Sequence, residues 1–152
     1  MKTRTMFLIV VFCVSVVAAS FAADPNLGTW KLNEAKSKIP AGAPKNNTVV
    51  YTAAGDSYKC VVDGVDGSGK PTHNEWTGKF DGEDYAVTGD PNADTRAIQK
   101  VDDQHYNLTN KKGGNTVITG TIAVEGKTRT VTIHRTNPSG EGVTSTFVYD
   151  KQ

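Results

Sequence analysis

From residue 26 onward, apolar and polar positions alternate with a period of two over short runs. In Thr128–Thr136, Arg129, Val131, Ile133 and Arg135 share one face, and Thr130, Thr132, His134 and Thr136 take the other. Along Thr116–Val124, Ile118, Ile122 and Val124 lie together, opposite Thr119 and Thr121; along Val143–Asp150, Val143, Phe147 and Tyr149 share a face. A period of two belongs to strands, whose successive side chains point to opposite faces of a sheet. The same texture predicts further strands near Gly28–Leu32, Thr48–Thr52, Ser57–Val62, Thr72–Lys79, Tyr85–Thr88, Thr95–Val101 and His105–Asn110.

Turn signals separate these runs: Ala54-Gly55-Asp56, Asp66-Gly67-Ser68-Gly69, Asp81-Gly82, Lys112-Gly113-Gly114-Asn115, Glu125-Gly126 and Asn137-Pro138-Ser139-Gly140. Glycine and asparagine supply the positive φ of tight hairpins, and aspartate bonds to its own turn backbone. About ten short strands joined by hairpin-length turns read as an antiparallel up-and-down meander. No stretch holds a 3.6-residue apolar period, so the pattern has no crossover helix and no parallel sheet. Closing the meander into a barrel hides both of its edges; a two-sheet sandwich is the rival architecture. Residues 33–46 break the pattern. Asn33–Lys38 can form a helical turn, but Pro40, Gly42 and Pro44 stop a longer helix. An irregular connection across one barrel end is expected there.

The first residues carry Lys2 and Arg4, then an almost unbroken apolar run from Met6 to Ala19, then Ser20-Phe21-Ala22-Ala23 ahead of polar Asp24. A basic start, a short apolar run and small residues three and one before a cut are the parts of a secretory signal peptide, here residues 1–22. The apolar run is too short for the roughly 20 residues of a membrane-crossing helix, and Phe12 before Cys13 does not suit a lipid anchor. A single domain over residues 23–152 is left, expected to be exported, free of a membrane anchor and monomeric.

Removal of Lys2 and Arg4 leaves 15 basic against 16 acidic side chains, a net charge of −1. Such a balance gives no electrostatic reason to bind nucleic acid or an anionic membrane. Cys60 is then the one thiol left, so no internal disulfide forms and the fold rests on packing. Tyr58 and Val62 share its strand face, which favours burial.

The run Asn26-Leu27-Gly28-Thr29-Trp30-Lys31-Leu32 resembles the opening strand of the calycin superfamily, the lipocalins and intracellular fatty-acid-binding proteins, where a Gly-x-Trp stands at the start of strand one. That resemblance implies a lipocalin-like barrel in which Gly28 and Trp30 close one end and a basic residue of a late strand, here Arg135, packs over the indole by a cation–π contact. The stretches Gly69–Trp76 and Gly89–Thr95 and the ending Val148-Tyr149-Asp150-Lys151-Gln152 are similar to uncharacterised secreted bacterial lipocalin-like proteins. They imply a periplasmic or extracellular place and no assigned activity. Two departures stand against a fatty-acid site of the usual kind. The Pro-rich segment cannot form the helix–turn–helix cap, and Phe147 stands where the last-strand Arg-x-Tyr has its arginine.

Candidate chemistry is sparse. Asp90-Pro91-Asn92-Ala93-Asp94 opens like a calcium loop, but Thr95 and Val101 occupy the positions of its glycine and bidentate glutamate. It reads as an Asx turn, and no metal or cofactor is expected. Asp63, Asp66, His73 and Glu75 flank one hairpin and would serve acid–base catalysis only if they converged in a pocket. No nucleophile elbow or phosphate loop is present, so no enzyme is expected. Trp76, Tyr85 and Tyr149 are candidate cavity lining, the alternative being core packing. Arg96 shares a face with Ile98 and Arg129 with Val131; if internal, either arginine can hold an anionic head group. The leading reading is a binding protein for a small hydrophobic or amphipathic molecule. Its rival is an envelope interaction or stress protein with a filled barrel and an exposed apolar patch.

Overall fold

The computed structural model describes residues 23–136 and 139–152; the expected signal segment and Asn137-Pro138 of the last turn lie outside the described residues. Alternating residues form ten strands in chain order: β1 (Gly28–Leu32), β2 (Lys45–Ala54), β3 (Ser57–Val65), β4 (Pro71–Gly78) and β5 (Tyr85–Thr88). They continue as β6 (Thr95–Lys100), β7 (His105–Lys112), β8 (Asn115–Glu125), β9 (Thr128–Thr136) and β10 (Gly142–Lys151). β1, β5 and β9 have the bounds that the alternation predicts. Most others run a few residues further, because polar strand ends still find hydrogen-bond partners in a continuous ladder.

Every strand pairs antiparallel with its sequence neighbour, and β1 also pairs with β10 through Trp30↔Lys151, Lys31↔Asp150 and Leu32↔Tyr149. This contact closes a single barrel and excludes the sandwich. Among the described residues there is no α-helix. Asn33 caps one 3₁₀ turn (Glu34–Lys36), its side chain accepting from the Lys36 N–H at 3.2 Å. Ser37 Oγ donates to the Asn33 carbonyl at 2.7 Å and accepts from the Val148 N–H at 2.9 Å. A bridge between Lys38 and Thr146 follows. The connection is therefore stitched along β10 as far as Lys38 and reaches the barrel rim only over residues 39–44.

The two ends of the barrel differ. The floor, where β1 and β9 begin and β2 and β10 end, is filled. Phe80, from the β4–β5 connection, stacks on Tyr58 (ring centroids 4.0 Å apart) and meets Tyr106, Tyr51 and Trp76 at 5.2, 6.1 and 6.2 Å. Offset and edge-on contacts of this kind add to what the rings gain by burial. Below them Trp30 is fully buried, its Nε1–H donating to the Asn26 carbonyl at 2.8 Å. Tyr106 Oη donates to Asp24 Oδ1 at 2.7 Å, so residues 24–27 seal this end.

The basic group over Trp30 is Lys151, whose Nζ lies 5.0 Å from the ring centroid, and not Arg135. Strand direction is the reason. β9 starts at the floor and carries Arg135 up to the rim, opposite Val143 and Ile118, whereas the register sets Lys151 directly across from Trp30. Gly28 makes the contact possible. Its φ of 123° disfavours any side chain, and a Cβ there would stand 2.8 Å from Lys151 Cε.

Candidate ligand cavity

Above the aromatic layer the barrel is open inside. A cavity of about 640 Å³ runs to the rim, where Pro44, Asp66, Asp90 and Asn92 border it. Ligand pockets commonly measure roughly 300–1,000 Å³, so the filled-barrel rival fails on space. Its surface expectation fails too: among the described residues, Val101 at 59 % is the one large hydrophobic side chain left exposed.

The cavity has two unlike walls. Strands β2, β3 and β8–β10 present Val49, Val62, Ile122, Val131, Ile133 and Phe147. Strands β4, β6 and β7 present Asn74, Arg96 and Asn110, with Thr72 and Leu108 beside them. The first three sit at inward positions of their strands, where alternation usually places apolar residues.

Arg129 is the central cation. Only 4 % of it is exposed. Its Nε–H donates to Asn26 Oδ1 at 2.9 Å, and its guanidinium carbon lies 5.4 and 5.6 Å from the rings of Tyr51 and Tyr149. The cross-strand pair Tyr149↔Arg129 fixes the second of these contacts. Two ring faces and one amide offset part of the cost of burying the charge. Among the described residues no carboxylate pairs with Arg129, and Asn26 Nδ2 is buried without a hydrogen-bond partner. Donors thus outnumber acceptors here. Burial pushes the Tyr149 phenol up to about 12 although Arg129 pulls the other way. Tyr51 is likewise raised, chiefly by burial, and burial raises the Cys60 thiol.

Arg96 is held differently. Its Nε–H donates to Asn110 Oδ1 at 3.1 Å and its Nη2 to Asn74 Oδ1 at 3.5 Å, while Asp90 Oδ2 stands 3.9 Å from Nη2. Asp90 offsets its charge, leaving Arg129 as the deeply buried cation without a carboxylate among the described residues.

Of the residues expected to meet a ligand, Arg96, Arg129 and Tyr149 line the cavity. Trp76 and Tyr85 do not. Trp76 is buried in the aromatic layer with its Nε1–H on the Arg96 carbonyl at 2.9 Å, and Tyr85 lies edge-on to it and bonds Asp81 at 2.8 Å. Gly78 leaves room for both, since a Cβ there would come within 2.6 Å of each ring. Gly28 and Trp30 belong to the floor, and Arg135 is half-buried at the mouth, where burial lowers its pKa. Sequence reasoning missed Asn74 and Asn110. The signal was a polar side chain at an inward position, two residues from Trp76 and four from Tyr106 on the same faces.

The histidine cluster lies outside. His73 Nδ1 is 2.6 Å from Asp63 and Nε2 is 3.4 Å from Glu75, while Glu75 pairs with Lys59 at 2.9 Å. Those carboxylates raise the pKa of His73 on a solvated outer face. Asp90 Oδ1 accepts from the Asn92 N–H at 2.9 Å, an Asx turn. Among the described residues no group of three or more His, Cys, Asp or Glu is placed to hold a metal ion.

No protein-family model matches the chain, and no curated protein matches it in sequence. Among solved structures, a Schistosoma mansoni fatty acid binding protein in complex with arachidonic acid is similar, with a TM-score of 0.58 and 21 % sequence identity. The match covers 84 % of this chain and 96 % of that one. At that identity the likeness is one of fold: this chain is a ten-stranded antiparallel β-barrel similar in fold to that protein.

Proposed function

We propose that this chain is an exported, monomeric, lipocalin-like binding protein that carries a small amphipathic anion in its barrel, with the head group on Arg129 and the tail along the β8–β10 wall. The carrying observation is the guanidinium of Arg129, buried in a cavity wall between two tyrosines with no carboxylate against it among the described residues. A buried charge costs several kcal/mol unless paired, and a ligand carboxylate supplies the pair. The charges of Arg96 and Asp90 offset one another, so the charge of Arg129 is the one left deep in the interior, and an anionic head group suits it. The similar barrel that holds arachidonic acid supports an apolar tail. Binding without catalysis is the reading, since the acid–base groups His73 and Glu75 sit on the outer face. Neither nucleic acid nor a membrane anchor belongs to it.

Calorimetry on the delipidated protein with stearate and with stearyl alcohol tests the head-group site. Stearate should bind about 10- to 100-fold more tightly, the worth of a charged hydrogen bond of about 1.5–3 kcal/mol, and Arg129→Leu should erase the difference. Equal affinity for the two in the unaltered protein rejects the anion site; no binding of either rejects the carrier. Export to a bacterial periplasm or medium is checked by the mass of the protein recovered from its host, which should lack residues 1–22.

A further inference from the structure

The polar wall opposite Arg129 has no task in holding a simple fatty acid. Asn74 and Asn110 are 8 % and 4 % exposed, and both line the cavity. Each turns its carboxamide oxygen to Arg96, at 3.5 and 3.1 Å. Their Nδ2 groups have no hydrogen bond among the described residues and are not sealed away as Asn26 Nδ2 is. Two N–H₂ donors therefore open onto the cavity from β4 and β7, on either side of Arg96. A hydrocarbon laid against them would strip them of water and return nothing. An oxygen acceptor would satisfy them. It needs no charge, because Asp90 stands 3.9 Å from Arg96.

We propose that Asn74, Asn110 and Arg96 form a second recognition station, which selects an amphipathic anion bearing a neutral oxygen, a hydroxyl or a carbonyl, part-way along its apolar body. This rests on the carrier reading and narrows its cargo from plain fatty acids to oxygenated ones. The register supports a single station: Arg96 and Asn110 are direct cross-strand partners on β6 and β7, and Asn74 reaches the same guanidinium from β4. The ligand thus lies between an apolar wall and a hydrogen-bonding wall, so the side of the chain that carries the oxygen matters as well as its position.

The test titrates delipidated protein with stearate and with 5-, 9-, 10- and 12-hydroxystearate, read by displacement of anilinonaphthalene sulfonate. At least one hydroxy isomer should bind tenfold or more tighter than stearate. Asn74→Leu and Asn110→Leu, made singly, should each bring that isomer towards parity with stearate. Should stearate bind and every isomer bind no more tightly, the second station is overturned while the carrier reading stands. If neither stearate nor any isomer displaces the probe, the carrier reading itself falls. The isomer comparison needs only the unaltered protein, so it decides the matter even if a variant fails to fold.

Discussion

At the scale of single residues, the interior is set by a few polar side chains at positions where a barrel normally keeps hydrocarbon. Arg129, Tyr51 and Tyr149 form a sandwich in which the cation offsets part of the burial of two phenols. The phenols remain harder to ionise than in water, and this has a consequence at alkaline pH. Unfolded tyrosine ionises near 10, whereas Tyr149 in the fold is held to about 12. The stability its burial confers is whole below pH 10 and is lost as pH rises from 10 towards 12, a loss on the order of 2 kcal/mol. Urea unfolding at a series of alkaline pH values should show that decline, and Tyr149→Phe should make it shallower without abolishing it, since burial raises Tyr51 and Tyr106 as well. A decline unaltered in the variant would place its origin in another group.

At the scale of elements, the closing contact is the β1–β10 seam. Gly28, Trp30 and Lys151 act together: the register brings lysine over indole, and the missing side chain at residue 28 lets the lysine stem pass. Gly28→Ala should cost about 1–3 kcal/mol, from the positive φ together with the collision with Lys151. Thermal unfolding checks this, and a variant with an unchanged midpoint would show that the seam yields freely. Strand identity was legible in the sequence because period two and Gly/Asp turns are local signals. Residues 128–136 and 85–88 needed nothing else. The partner of Trp30 was not legible, because it depends on which end of β9 reaches the floor, and that is settled only by the direction of travel around the closed barrel. Trp76 and Tyr85 were misjudged for a related reason. Alternation tells inward from outward, but Phe80, arriving from a connection, decides how high the filled layer rises.

At the scale of the whole molecule, the barrel divides into a dry aromatic half and a hollow half with one apolar and one hydrogen-bonding wall. The division separates tasks. The floor carries Trp30, Tyr106, Phe80 and the segment from Asp24 to Leu27, which hold the structure together without reference to cargo. The upper half can then spend polar groups on recognition. The candidate site was legible only in part: Arg96 and Arg129 stood out as cations on inward-reading faces, yet whether those faces were internal depended on closure.

Closure has one more consequence. The seam pairs Trp30 with Lys151, the two most distant parts of the described chain. In a polypeptide made from its N-terminus, β1 must wait through nine strands of synthesis before its second neighbour exists. Until β10 emerges, Trp30 has no lysine above it, and β1 keeps one row of backbone amides and carbonyls unmatched. Before then the strands form an open ribbon with an unpaired edge, and only the arrival of β10 makes it a vessel. Contacts of such long sequence separation are slow to form, so the interval continues after β10 has been made.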